Sequence, residues 1–188
     1  VYTMMGDCHA YLNQYDAAIE KYKKAYEADK RFLKPLKNIC NMLVFRGKLD
    51  EAAPYVEEFA EKAPDDPDAL LTRAIIRYAR KDGEGAFDDI QRSLKARKGS
   101  FLAHYMYGKM LASAGRYAEA RDELLAAIRI NSRMSDPHNE LAEVYIKLRE
   151  GAKALKEAER ALALNPHDQR AKQIRGRAYL EMKDYERA

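Results

Sequence analysis

Residues 101–132 read FLAHYMYGKMLASAGRYAEARDELLAAIRINS. Two stretches of helical apolar spacing flank the polar break Ser113-Ala114-Gly115-Arg116, and small residues stand at Gly108, Ala120 and Ala127. Apolar residues at three- and four-residue spacing mark one buried face of a helix, and small side chains let two helix axes approach closely. Such a pair cannot bury its own apolar face. It needs neighbours, and stepping thirty-four residues in either direction meets the same design again.

With Gly108 taken as position eight of a unit, the equivalents are Gly6, Cys40, Ala74, Ala142 and Gly176, all small. Position twenty is Ala18, Ala52, Ala86, Ala120, Ala154 and Ala188, whereas position twenty-seven, with Ala25, Phe59, Ser93, Ala127 and Ala161, departs from alanine twice. Turn chemistry keeps the same phase at Asn13-Gln14-Tyr15-Asp16, Arg46-Gly47-Lys48-Leu49 and Met182-Lys183-Asp184-Tyr185. The phase predicts one array with units at 1–32, 33–66, 67–100, 101–134, 135–168 and a partial 169–188. First helices are expected at 3–12, 34–46, 68–80, 102–114, 136–148 and 170–182, and second helices at 16–29, 50–63, 85–97, 118–131 and 152–164. Asp16 and Asp50 are expected to cap second helices, and Pro64, Pro67, Pro137 and Pro166 to separate units. Gly83 and Gly85 mark the third unit as the place for a looser joint or a changed curvature.

Composition agrees with an all-α chain. Of the 188 residues, 47% are hydrophobic and 34% charged, a mixture suited to soluble amphipathic helices. The net charge of +4 comes from interspersed signs, as solvated helix faces require. Nucleic acid is not an expected partner, because no basic stripe with free aromatics runs along one face; Arg170, Arg175 and Arg177 come nearest, over one helix only. No apolar run approaches the roughly 20 residues of a membrane span, so membrane insertion is not expected. Cys8 and Cys40 form neither a zinc spacing nor a disulfide framework and are expected to be buried packing residues. The cytoplasm is the default location for such a chain, with a periplasmic array as the alternative if a signal segment has been removed. Both ends fall inside a unit, so the chain reads as a fragment of a longer protein. An open seam at either end makes a homo-oligomer one alternative.

These positions resemble the tetratricopeptide repeat, a thirty-four-residue helix-turn-helix unit with small residues at eight, twenty and twenty-seven. Gly176-Arg177-Ala178-Tyr179, Ala142-Glu143-Val144-Tyr145, Pro64 and Pro166 match it well; His9 and Arg77 at position eleven, and Lys30, Lys98 and Ser132 at thirty-two, depart from it. The resemblance implies a right-handed α-solenoid of antiparallel helix pairs whose first helices line a concave groove. It further implies a non-enzymatic interaction scaffold that binds a partner peptide or helix there. The groove residues it points to are Lys37, Asn41, Phe45, Leu71, Ile75, Tyr78, Tyr105, Lys109, Asn139 and Arg177. Alternatives are the helper region of a larger enzyme or secretion or envelope assembly, and a self-assembling scaffold. Lys37 and Asn41 resemble the start of a clamp for a chaperone's C-terminal carboxylate. Thr72, Leu102 and Met106 stand where its further donors are needed, so a chaperone tail is not an expected partner.

Reaction chemistry is not expected. His104 and His138 share position four, a packing position, and no HExxH pattern, histidine pair at i and i+4, or orienting carboxylate is evident beside them. The serines lack a GxSxG turn, and Gly83-Glu84-Gly85 is followed by no GK[ST]. No catalytic residue, metal or cofactor is therefore assigned. The eight acidic residues between Asp50 and Asp68, against the single Lys62, read as a solvated face.

Overall fold

The computed structural model describes residues 1–182, which form eleven α-helices and, among the described residues, no strand. The chain divides into two compact units, Val1–Arg97 and Lys98–Ala188. Unit 1 holds α1 (Tyr2–Tyr11), α2 (Tyr15–Ala28), α3 (Leu33–Phe45), α4 (Leu49–Lys62), α5 (Pro67–Ala79) and α6 (Gly83–Ala96). Unit 2 holds α7 (Phe101–Ser113), α8 (Tyr117–Ile130), α9 (Ser135–Lys147), α10 (Gly151–Leu164) and α11 (Gln169–Glu181). Ala188 at position twenty, most of the turn expected at 182–185, and any unit opening there lie outside the described residues.

Each expected helix is present, most of them one residue earlier than the pattern placed them: α3, α5, α7, α9 and α11 begin at 33, 67, 101, 135 and 169, a constant step of 34. The second helices, α2, α4, α6, α8 and α10, also start early, and there the start is set by the turn that precedes each of them. Position fifteen adopts a left-handed conformation in every helix-to-helix turn within a repeat: Asn13 (φ 58), Gly47 (φ 70), Lys81 (φ 67), Gly115 (φ 76) and Arg149 (φ 62). The following N–H then donates to a carbonyl five residues back, as from Lys48 to Leu43 and Arg116 to Leu111, both 2.9 Å. This closes the first helix by backbone bonds alone and starts the next helix two residues later. Asp16 and Asp50 consequently do not cap. They sit second in α2 and α4, where a carboxylate favours the helix dipole. Side-chain caps occur instead at Asp66, Asp82, Ser100 and Asp168.

In unit 1 successive helices stack, and α3 also packs on α5. The core is a continuous seam of Ala18, Ile19, Tyr22, Leu36, Ile39, Cys40, Leu43, Ala52, Val56, Phe59 and Ile76, all at most 4% exposed. The repeated alanines are why the seam is thin enough for this: Ala18, Ala52 and Ala86 have no exposed surface. Of the two glycines in the third repeat's turn, Gly83 has open space around its Cα and Gly85 is enclosed. Gly85 lies under the Asp82 carboxylate, which accepts its N–H at 3.0 Å, in space that a Cβ would fill. Arg77, the departure at position eleven, is explained by Asp89, a fully buried carboxylate on α6. Arg73 grips Asp89 with two bonds of 2.8 and 2.6 Å, and Arg77 adds a third of 2.8 Å.

Unit 2 repeats the stacking from α7 to α11. Gly108 lets α8 approach so closely that a Cβ there would stand 2.7 Å from Leu124 Cγ and 3.3 Å from the Ala120 carbonyl. His104 and His138 are packing residues, but each does have an orienting carboxylate, contrary to expectation. Nδ1 of His104 meets Glu123 Oε2 and Nδ1 of His138 meets Glu157 Oε2, both at 2.6 Å. The partners stand 19 residues apart in sequence, on the facing helix, a separation no short motif reveals.

Candidate partner-binding surfaces

Each unit presents a polar and aromatic face along its first helices. In unit 1, α3 carries Lys34, Lys37, Asn38, Asn41 and Phe45. Leu33 to Phe45 places these at helical spacing, so Leu36, Ile39, Cys40 and Leu43 turn into the core while they turn out. Phe45 is 75% exposed, its ring edge-on to Tyr15 at 6.1 Å, and Arg46 lies over the Tyr15 ring at 5.2 Å. These aromatics, with Tyr22, Asn38, Asn41 and Met42, line a cleft of about 360 Å³. One side of it is fixed by Asp7, which accepts from Tyr22 Oη at 2.7 Å and Asn38 Nδ2 at 3.3 Å. The Tyr22 hydroxyl is thereby held protonated, its pKa raised by burial and then by the bond to Asp7. Asn41 is exposed and has no hydrogen-bond partner among the described residues.

Lys37 is committed elsewhere. It pairs with Asp68, which also receives two bonds from Arg97 at 2.7 and 3.1 Å. Burial pushes the Asp68 carboxyl up, but the hydrogen bonds from Arg97 and Lys37 outweigh it and hold the group below its ordinary value. Leu71 and Ile75, expected to line the groove, are 5% and 9% exposed and belong to the packing of the helix instead. Tyr78, on the same helix, is half-buried.

In unit 2 a cleft of about 270 Å³ is bordered by Lys109, Tyr117, Glu140, Glu143, Lys147 and Arg170. Tyr105 stacks on Phe101 at 6.0 Å with an interplanar angle of 10°, and Lys109 lies over its ring at 5.4 Å. Burial, then the negative charges of Glu140 and Asp136, raise the Tyr105 pKa, so its hydroxyl is a neutral donor. Arg170 donates to Glu140 at 2.9 Å and Arg177 to Glu143 at 2.7 Å, so these two arginines of α11 are tied to acids of α9. Lys109 approaches Glu140 at 3.9 Å. Asn139, also expected on the surface, is 1% exposed. Its Nδ2 donates to Asp168 at 2.7 Å while Asp168 caps α11 through the Ala171 N–H, so Asn139 positions a helix start. The structure thus brings Asn41 and Phe45 together in unit 1 and Tyr105 and Lys109 together in unit 2. It removes Leu71, Ile75 and Asn139 from solvent. Tyr15, Asn38 and Glu140 were missed by sequence reasoning. Tyr15 belongs to a turn in the repeat pattern, and only the stacking of α2 on α3 sets it beside Phe45.

The described residues hold no group of three or more metal-ligating side chains, and no helix among them is long and apolar enough to cross a membrane. Cys40 is buried, and burial pushes its thiol up to about 12, whereas Cys8 is exposed. The expectation that both cysteines are buried fails for Cys8 because the face of α1 that carries it has no helix on it among the described residues.

Models of the tetratricopeptide repeat match residues 1–32, 42–101, 88–134 and 139–188. No curated protein matches the chain. Among solved structures, TTC0263, a thermophilic repeat protein of this kind from Thermus thermophilus, is 17% identical with a TM-score of 0.72 over 95% of this chain and 97% of its own. YrrB, described as having an unusual peptide-binding site, is 19% identical with a TM-score of 0.66, covering 92% of this chain and 89% of its own. MamA residues 41 to the end, from Desulfovibrio magneticus RS-1, is 25% identical with a TM-score of 0.72, covering 84% and 88%.

Proposed function

The chain belongs to the tetratricopeptide repeat family, and from that premise we propose that it is a scaffold that acts by binding, holding a peptide or helix of a partner protein against the first-helix faces. The observation that carries this reading is Phe45. A large aromatic side chain left 75% exposed, beside Tyr15 and the uncommitted amide of Asn41, costs apolar hydration unless something covers it. Tyr105 and Lys109 supply a comparable aromatic and cationic pair in unit 2. Aromatic anchors beside an amide that can meet peptide backbone groups suit an extended or helical segment. The peptide-binding description of the YrrB structure supports the same reading. Two unpaired cysteines, one of them exposed, fit a reducing compartment, and the cytoplasm is the location proposed.

The test is affinity capture of partners from the cell of origin by the unaltered chain and by the pair Phe45→Ala and Tyr105→Ala. Partners retained by the unaltered chain are expected to be lost from the double variant at unchanged helicity. Equal retention by both would remove these faces as the binding site.

A further inference from the structure

The acids that line the unit 2 cleft are satisfied within the protein, and two of its cations are not. Glu140 keeps 14% of its side-chain surface in water and accepts from Arg170 at 2.9 Å. Glu143 keeps 25% and receives Arg177 on both oxygens, at 2.7 and 2.8 Å. Carboxylates held by charge-assisted bonds in this way have little left to offer a ligand. Lys109, by contrast, is 41% exposed and comes only to 3.9 Å from Glu140, which Arg170 already holds more closely. Lys147 is exposed and makes no ion pair among the described residues. A lysine in the last turn of α9 also suits the helix dipole, but Lys109 stands in the middle of α7, where that explanation fails. With Arg177 included, four cations stand against two carboxylates at this cleft. Asp136, an acid of α9 that makes no ion pair among the described residues, lies about three turns from Lys147 and does not line the cleft.

The same place in unit 1 is built without charge. Glu140, Glu143 and Lys147 stand three thirty-four-residue steps after Asn38, Asn41 and Phe45, and Tyr117 stands the same distance after Tyr15. The two clefts are therefore one feature of the repeat carrying different side chains. Unit 1 lines it with amides and aromatic rings, unit 2 with ion pairs and two lysines in surplus. Ammonium groups that share one small cleft repel each other, and a carboxylate placed between them relieves that repulsion, which a neutral side chain cannot do. The hydroxyls of Ser113 and Tyr117, which make no hydrogen bond among the described residues, can donate to the same carboxylate.

We propose that the unit 2 cleft sets the charge preference of the partner, receiving an acidic side chain of the bound segment between Lys109 and Lys147, while the equivalent cleft of unit 1 receives an uncharged one. This assignment rests on the reading that the first-helix faces bind a peptide or helix, and adds to it the chemistry that the segment must carry.

The test is selection of random peptides displayed on phage against the intact chain, followed by fluorescence anisotropy of the peptides recovered. Peptides recovered by the unaltered chain are expected to carry Asp or Glu above the frequency of the library. That enrichment is expected to vanish when selection is repeated with Lys109→Gln and Lys147→Gln combined, at unchanged helicity. The same loss of charge at Lys156 and Arg160, on the exposed face of α10, is expected to leave it in place. A recovered peptide is expected to bind the Lys109→Gln, Lys147→Gln variant roughly tenfold more weakly, and to bind the unaltered chain more weakly as salt is raised. Replacing its acid by the matching amide should weaken binding to the unaltered chain and make little further difference to the variant. Recovered peptides without acidic enrichment, or an enrichment that survives the two lysine substitutions, would overturn the proposal and leave the scaffold reading standing. Recovery of no peptide by the unaltered chain would remove both.

Discussion

Replacing Asp89 by alanine should cost unit 1 more than any surface substitution. The carboxylate has no exposed side-chain area and accepts three charge-assisted bonds, two from Arg73 and one from Arg77. Removing one partner of a buried ion pair costs roughly 3–5 kcal/mol because the remaining charge stays desolvated. Here the guanidiniums keep 16% and 32% of their side-chain surface in water, so they can partly rehydrate, and the loss should fall at the lower end, about 3 kcal/mol. That is a large share of the roughly 5–15 kcal/mol that holds a domain folded. Replacing all three, as Arg73→Met, Arg77→Leu and Asp89→Leu, should restore stability to within about 1 kcal/mol of the parent or exceed it, since an apolar trio avoids the desolvation. Urea unfolding followed by circular dichroism reads the size of the change. Hydrogen exchange reads its place, and protection should fall first in α5 and α6, because a repeat protein's stability is a sum of local terms. A loss below about 1 kcal/mol for Asp89→Ala, or a triple variant less stable than the single one, would show that the cluster is solvated and would refute the reasoning.

Lys81 holds a left-handed φ of 67 where Gly47 and Gly115 serve in other repeats, so Lys81→Gly should stabilise unit 1 by up to about 1 kcal/mol in the same urea assay; destabilisation would show that the side chain contributes more than the strain it imposes. With a chromogenic aromatic disulfide at mildly alkaline pH, Cys8 should react at once and Cys40 only on unfolding, because burial has pushed the Cys40 thiol up to about 12; two fast thiols in the folded chain would contradict the packing of α3.

The helix order, the register and most of the alanine seam were legible because they depend on short-range periodicity that survives in one dimension. Ala18, Ala52, Ala86, Ala120 and Ala154 stand at one phase in the sequence and all five are fully buried. The turns were partly legible: Gly47 and Gly115 announce a left-handed residue, whereas Asn13, Lys81 and Arg149 adopt the same conformation with no such signal. The candidate surface was least legible. Leu71, Ile75 and Asn139 occupy groove positions by count, yet their exposure depends on the bulk of neighbouring side chains, which counting does not include.

The repeat, its thirty-four-residue step and the positions where helices must be thin can thus be read along the chain, since they follow from helical spacing and small side chains. Which polar groups are consumed inside the protein depends on how the helices pack. Lys37 is paired to Asp68, Arg177 to Glu143, His138 to Glu157 and Arg77 to Asp89. These partners lie on facing helices, from 12 to 34 residues apart in sequence, so their pairing exists only once the helices have stacked. The same stacking that ties up these charges leaves Phe45 in water.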